Sequence, residues 1–267
     1  MTLSQQLRDP WGTAYADAGS GPAIVLLHGV GLTGAMWSPI ADRLKQRFRV
    51  IVPDMLGHGA SPQPGADASL ADYAKQIVAL VRHLGIESSG VVGFSMGAMV
   101  AQRMALDFPS AVRRMALVCA VHDRPPDAKL SVRTRALTTA IRGIAPSVEP
   151  ALERWFTPSF ASQRPDVIDA VRVTMLANDP VGYLRSYAIF AQGDDELVND
   201  IARVRIPTLI VVAQDDAGST PQMGQGLQAS ITGSQLVILP GVRHMLPLEQ
   251  PDRLADPLEK FFIEETK

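Results

Sequence analysis

Gly93-Phe94-Ser95-Met96-Gly97 sets one serine between two glycines at the end of an apolar run. Before it, Gly90-Val91-Val92-Gly93-Phe94 reads as a short buried strand; after it, the residues from Ala98 to Leu106 read as a helix. A residue at so tight a strand-to-helix turn is held in a strained backbone shape that pushes its side chain out of the fold. Side chains at the flanking positions would collide with the neighbouring strand and helix. The pattern is that of the G-x-S-x-G nucleophile elbow. Five residues alone carry little weight, so the reading depends on what the rest of the chain places around them.

Outward from the elbow, short apolar runs alternate with helical segments. Ala23-Ile24-Val25-Leu26-Leu27 reads as a fully apolar strand, followed by a glycine-rich turn and a helix from about Met36 to Gln46. Phe48 to Val52 is a second strand closed by Pro53-Asp54, and Leu70 to Leu84 is a helix stopped at Gly85. The elbow strand follows, then a strand ending near Val121. Continuous apolar strands separated by helices predict a mostly parallel central sheet covered by helices on both faces, an α/β fold. From Arg124 to about Asn199 the rhythm changes to helical and irregular sequence punctuated by prolines. Alternation resumes at Pro207 to Val212, continues at Gln235 to Leu239, and ends in a helix from about Pro251 to Glu264. The expected organisation is a core of residues 1–123 and 200–267 with a helical lid, residues 124–199, over the strand C-termini. Trp155, Phe156, Phe160, Leu184, Tyr187 and Phe190 need burial, which argues against a disordered linker.

The 267 residues are enough for one large core, and 25 Lys+Arg against 27 Asp+Glu leave a formal charge of -2. No global field favours nucleic acid or an anionic membrane. The single cysteine, Cys119, excludes an internal disulfide framework or a cysteine-based zinc site and reads as a small buried hydrophobe. Met1 to Pro10 has no apolar leader and no stretch is long enough to span a bilayer, so the expectation is a soluble cytoplasmic protein.

A serine hydroxyl needs a histidine base, an acid to orient that histidine, and donors for the oxyanion. In such sheets the acid follows a later strand and the histidine follows the last one. Val211-Val212-Ala213-Gln214-Asp215-Asp216 supplies two carboxylates at a strand end, of which Asp216 is favoured; Asp123 is a third candidate. Leu239-Pro240-Gly241-Val242-Arg243-His244 supplies the histidine. Ser95, Asp216 and His244 are therefore the expected catalytic set. The oxyanion donors are expected to be the backbone amides of Met96, at a helix N-terminus, and Val30, in the loop after the first apolar strand. His28 in that loop reads as a structural hydrogen-bonding residue. No metal or cofactor is expected.

A competing signal shares that loop. Gly29-x-Gly31-x-x-Gly34 follows a strand and precedes Asp54 at about the spacing of a dinucleotide fingerprint. Asp54, however, belongs to a turn-rich loop that a ribose-binding carboxylate would not require. The helix starts too late for Gly31 to meet a pyrophosphate at its N-terminus, and a nucleotide reading leaves Ser95, Asp216 and His244 unexplained.

Taken together, His28-Gly29-x-Gly31, Asp54-x-x-Gly57-His58-Gly59-x-Ser61, the Ser95 elbow, the Asp216 strand end and His244 with Glu249-Gln250-Pro251 resemble the α/β-hydrolase superfamily. Trp155-Phe156-Thr157-Pro158-x-Phe160 and Asn178-Asp179-Pro180-x-Gly182-Tyr183 look like the 3-oxoadipate enol-lactonase branch and its carboxylesterase relatives. The resemblance implies an α/β-hydrolase fold and a cofactor-independent serine hydrolase for a small carboxylic ester or lactone. It also keeps open a C–C bond hydrolase of ring-cleavage diketones and a ligand receptor on the same scaffold. One departure stands out: Arg243 occupies the position before the histidine where the family usually has glycine. Arg243, His122 and Arg124 are candidates for binding an acidic substrate, with Trp155 and Tyr187 as further lining candidates. Oligomeric state is left open.

Overall fold

A computed structural model describes residues 6–263. Residues 1–5 of the polar N-terminal segment and Glu264, the expected end of the last helix, lie outside them.

The apolar runs become the centre of one eight-stranded sheet. Its strands are β1 (Leu7–Arg8), β2 (Ala14–Ala18), β3 (Ala23–Leu27), β4 (Arg49–Pro53), β5 (Ser89–Phe94), β6 (Val112–Val118), β7 (Thr208–Ala213) and β8 (Gln235–Leu239). The order is β1-β2-β4-β3-β5-β6-β7-β8. β1 pairs with β2, and β2 with β4, in antiparallel fashion; every pairing from β4 to β8 is parallel. All residues of β3, β5 and β7 are buried, which is why they read as continuous apolar runs.

Strands β1 and β2, at one end of the sheet, lie where the sequence reading places no strand. Ala14-Tyr15-Ala16-Asp17-Ala18 is mostly alanine, buried at its first two residues and partly buried after them, so its periodicity is faint, and the sheet itself supplies the pairing. The strand expected to reach Val121 ends at Val118, because Cys119 turns out of the sheet at φ 48°.

Helices α1 (Ser38–Leu44), α2 (Leu70–His83) and α3 (Met96–Asp107) connect the first half of the sheet. Ser69 and Asp72 form a reciprocal capping box that starts α2, and its Tyr73, Ile77, Leu80 and Val81 are buried. Between β6 and β7 the chain makes five α-helices, a short 3₁₀ turn (Ile201–Arg203) and no strand: α4 (Pro126–Arg142), α5 (Ala145–Trp155), α6 (Pro158–Gln163), α7 (Pro165–Leu176) and α8 (Pro180–Leu197). Each has proline in its first turn, where the missing N–H costs nothing. Helices α9 (Pro221–Ser230), α10 (Leu246–Glu249) and α11 (Pro251–Ile263) complete the chain. Among the described residues no helix is long and apolar enough to cross a membrane.

The chain passes from β3 outward to β4, then returns to the other side of β3 to lay down β5. At that reversal the loops leaving β3 and β5 diverge and leave a crevice at the strand C-termini. Leu27 stands in register with Gly93 and Phe94 with Val118, so the loops after β3, β5 and β6 emerge side by side.

Candidate active site

Ser95 sits between β5 and α3 at φ 53°, ψ −114°, a conformation rarely adopted by residues other than glycine. Its amide donates to the Val118 carbonyl at 3.0 Å, and its carbonyl accepts from Ala98 at 3.0 Å. A Cβ on Gly93 would lie 2.2 Å from the Gly97 carbonyl oxygen, and one on Gly97 would lie 2.4 Å from that of Leu27. Both glycines are thus required by close backbone approach. The Met96 amide is the first of α3 and, like any such amide, has no acceptor within its own helix.

On the far side of the crevice, residues 28–34 are held by side-chain acceptors. The Gly31 amide donates to His58 Nε2 at 2.9 Å, and the Met55 amide to His28 Nε2 at 2.9 Å. Each imidazole keeps its proton on Nδ1, facing the carbonyls of Leu56 and Gly29 respectively. The rings meet edge to face, with centroids 4.9 Å apart. Burial pushes His28 down to about 4, and burial followed by the neighbouring His28 pushes His58 down to about 3, so both are neutral acceptors at physiological pH. Asp54 accepts from the amides of Gly34 at 2.9 Å and Ala60 at 3.1 Å and from Gln6 Nε2 at 3.0 Å. Its carboxylate joins two loops, and the Tyr183 ring lies against Gly31, so neither is arranged for a dinucleotide.

Asp216 and His244 approach from β7 and β8. His244 Nδ1 donates to Asp216 Oδ2 at 2.6 Å, and Asp216 Oδ1 accepts from Gly218 and Ser219 at 2.8 and 3.0 Å. Asp216 is buried, whereas Asp215 and Asp123 are exposed. The His244 ring lies 4.8 Å from Phe94 and 6.0 Å from Trp155. Ser95 and His244 open onto a cavity of about 360 Å³ between the strand ends and the helical insertion. Val30 lines it on the sheet side; Arg124, Trp155 and Tyr187 line it from the insertion.

Two expected substrate contacts are corrected. His122 is turned away from the cavity, packs against Gly226 of α9 and lies 3.3 Å from Ser230 Oγ through Nε2. Arg243 Nη1 donates to the carbonyls of Glu153 at 2.7 Å and Phe156 at 3.1 Å, so its charge caps the end of α5 and does not line the cavity. The same seam carries a Met245 amide bond to the Trp155 carbonyl at 2.9 Å and hydrogen bonds from the Thr157 amide and hydroxyl to Glu249.

Cys119 also approaches the pair. Its sulfur and the ligand atoms of Asp216 and His244 lie within 4.8 Å of one another. Burial, then the charge of Asp216, pushes the thiol pKa up and keeps it protonated. A metal held there would need a thiolate and would break the short Asp216–His244 hydrogen bond, so the three side chains fit an orienting pair better than a ligand set. No periodicity in the strand sequence marks this proximity, because it arises from the turn at Cys119.

Fold and cavity together define a member of the alpha/beta hydrolase fold family, and the chain belongs to it: the family model matches residues 22–251. The chain is 28% identical over 249 residues to an (E)-2-((N-methylformamido)methylene)succinate hydrolase of Acinetobacter baylyi, covering 92% of both chains. It is 27% identical over 238 residues to 3-oxoadipate enol-lactonase 2 of the same organism, covering 89% of this chain and 87% of that one. The crystal structure of an enol-lactonase from Burkholderia xenovorans superposes with a TM-score of 0.87 at 25% identity, covering 94% and 97% of the two chains. The chain is thus a hydrolase of the α/β family that resembles the enol-lactonase branch.

Proposed function

We propose that this chain cleaves a small carboxylic ester or lactone through an acyl-enzyme on Ser95. The observation that carries the reading is the Asp216–His244 hydrogen bond, which points the free imidazole nitrogen toward the cavity that Ser95 lines. His244 Nε2 takes the Ser95 proton as Oγ bonds to the substrate carbonyl carbon. The amides of Met96 and Val30 hold the oxyanion. The tetrahedral intermediate collapses, the C–O bond to the leaving group breaks, and His244 returns the proton to that oxygen. Water then attacks the acyl-enzyme, losing its proton to His244, and the acid leaves as the proton goes back to Ser95. Asp216 fixes the imidazole tautomer throughout. Residues 124–199 act as the lid of a core formed by 1–123 and 200–267, and no cofactor takes part.

Ser95→Ala should lower turnover of 4-nitrophenyl butyrate by at least about 10³-fold while leaving the circular dichroism spectrum unchanged; undiminished turnover would refute the reading. A vinylogous diketone in the same panel separates C–O from C–C cleavage.

A further inference from the structure

The two ends of the sheet differ. At one end β1 is two residues long and carries Arg8, whose Nη1 donates to the carbonyls of Gly12 and Ala60. At the other end β8, Gln235-Leu236-Val237-Ile238-Leu239, pairs with β7 alone. The Leu239 carbonyl accepts from the Gln214 amide at 2.9 Å, so Leu239 turns its backbone toward β7. Backbone groups alternate sides along a strand. Gln235 and Val237 therefore turn the same way as Leu239, and the N–H and C=O groups of Leu236 and Ile238 face outward. Among the described residues no hydrogen bond from a loop or helix backbone reaches those four groups.

A free strand edge is a template for another strand, and proteins that stay apart guard it with charged side chains, proline or brevity. β8 carries neither charge nor proline, and Ile238 is 36% exposed. The neutrality extends well beyond the strand. From Ala217 to Val242, through α9 and β8, the chain has no charged side chain, although 19% of the whole chain is charged. α9 packs over β7 and β8, with Gly224 against Val212 and Leu236. Arg253 of α11 donates to the Pro240 carbonyl at 2.9 Å, beyond the end of the strand.

We propose that two copies of this chain join through β8, edge to edge and antiparallel, into one continuous sheet. A two-fold axis brings each residue near it against its own copy, so a charge there would meet its like. A contact of that kind requires a neutral surface, which offers no attraction to an anionic membrane or a charged peptide. The register follows from the backbone directions. With Val237 opposite the partner's Val237, Leu236 stands opposite the partner's Ile238, and each such pair exchanges two hydrogen bonds. All the outward groups of both strands are then used, and the exposed Ile238 side chain is covered by the partner's Leu236. A stable dimer buries about 1,200 Å² or more, so α9, with its exposed Gln222, Gln225 and Gln228, joins the strand in the contact. The inference is independent of which bond Ser95 cleaves.

Light scattering after size-exclusion chromatography, at about 100 µM protein, should give twice the 28.7 kDa chain mass. Ile238→Pro removes only an outward N–H, and Ile238→Lys sets like charges across the axis. Each should halve the mass and leave the circular dichroism spectrum unchanged. Val237→Cys tests the register, because opposite residues of a non-hydrogen-bonded pair stand about 4.5 Å apart at Cα, within disulfide reach. Mild oxidant should convert it to a disulfide-linked dimer and leave Thr232→Cys, at an exposed site before the strand, monomeric on a non-reducing gel; Cys119 is buried. Should both Ile238 variants unfold, the Val237→Cys cross-link decides alone. A wild-type monomer at that concentration would overturn the inference and leave the edge to a strand of another protein. A dimer whose mass neither folded Ile238 variant changes, or no cross-link at position 237, would overturn it equally.

Discussion

At Ser95 the positive φ costs of order 1–3 kcal/mol. The close packing of Gly93 and Gly97 on both sides holds that strain in place. The motif told where such a turn stands because only glycine fits those two positions. Motif spacing could not decide between Asp215 and Asp216, since one step along a strand end reverses the side chain. The fold turns Asp216 inward to His244 and leaves Asp215 exposed. Asp216→Asn should therefore lower kcat by about 10²- to 10⁴-fold, whereas Asp215→Asn should stay within about 3-fold of wild type. Steady-state kinetics on one activated ester decides this, and a larger loss at Asp215 would reverse the assignment. Arg243 teaches a related lesson. Its charge looked suited to an acidic substrate, yet its donors are taken by two carbonyls at the end of α5.

Among the elements, those with strong periodicity were legible: the buried strands β3, β5 and β7, the helices α2 and α3, and the long strand-free interval between β6 and β7. The two-residue β1 and the alanine-rich β2 were not, because strands with so little pattern of their own take their stability from the neighbours they pair with. The seam between the His244 loop and residues 153–157 was equally invisible, being made mostly of backbone carbonyls. It joins Arg243, Met245 and Glu249 to the end of α5 and the start of α6. Removing the Arg243 side chain should loosen that junction. Arg243→Gly is expected to lose about 1–3 kcal/mol of stability and to speed amide exchange at residues 153–160. A rise in KM for acidic esters with unchanged exchange would instead show Arg243 to be a substrate ligand.

For the whole molecule, His28 and His58 make acid sensitivity part of the design. Both are neutral acceptors in the fold, with pKa values lowered to about 4 and about 3, and both return to about 6.5 when unfolded. Above pH 6.5 neither state takes up the proton and their contribution to stability is complete. As pH falls below 6.5 the unfolded chain binds protons that the folded chain refuses, so stability declines until the folded values are reached. Well below pH 6.5 each imidazole contributes a slope of about 1.4 kcal/mol per pH unit. Urea unfolding at pH 7.5, 6.0 and 5.0 should show this loss, and His58→Gln, which keeps a neutral acceptor, should flatten it; parallel curves would contradict the assignment. The sequence by itself determined the alternation of strands and helices, the elbow, and the chain order of serine, acid and histidine, because periodicity and turn chemistry are local. The tertiary structure alone decided where the side chains point. Arg124 and Arg135 face the cavity, His122 packs on α9, Cys119 lies beside Asp216, and Arg243 reaches a carbonyl 90 residues away. Such directions are set by contacts between segments far apart in the chain, which no local pattern encodes.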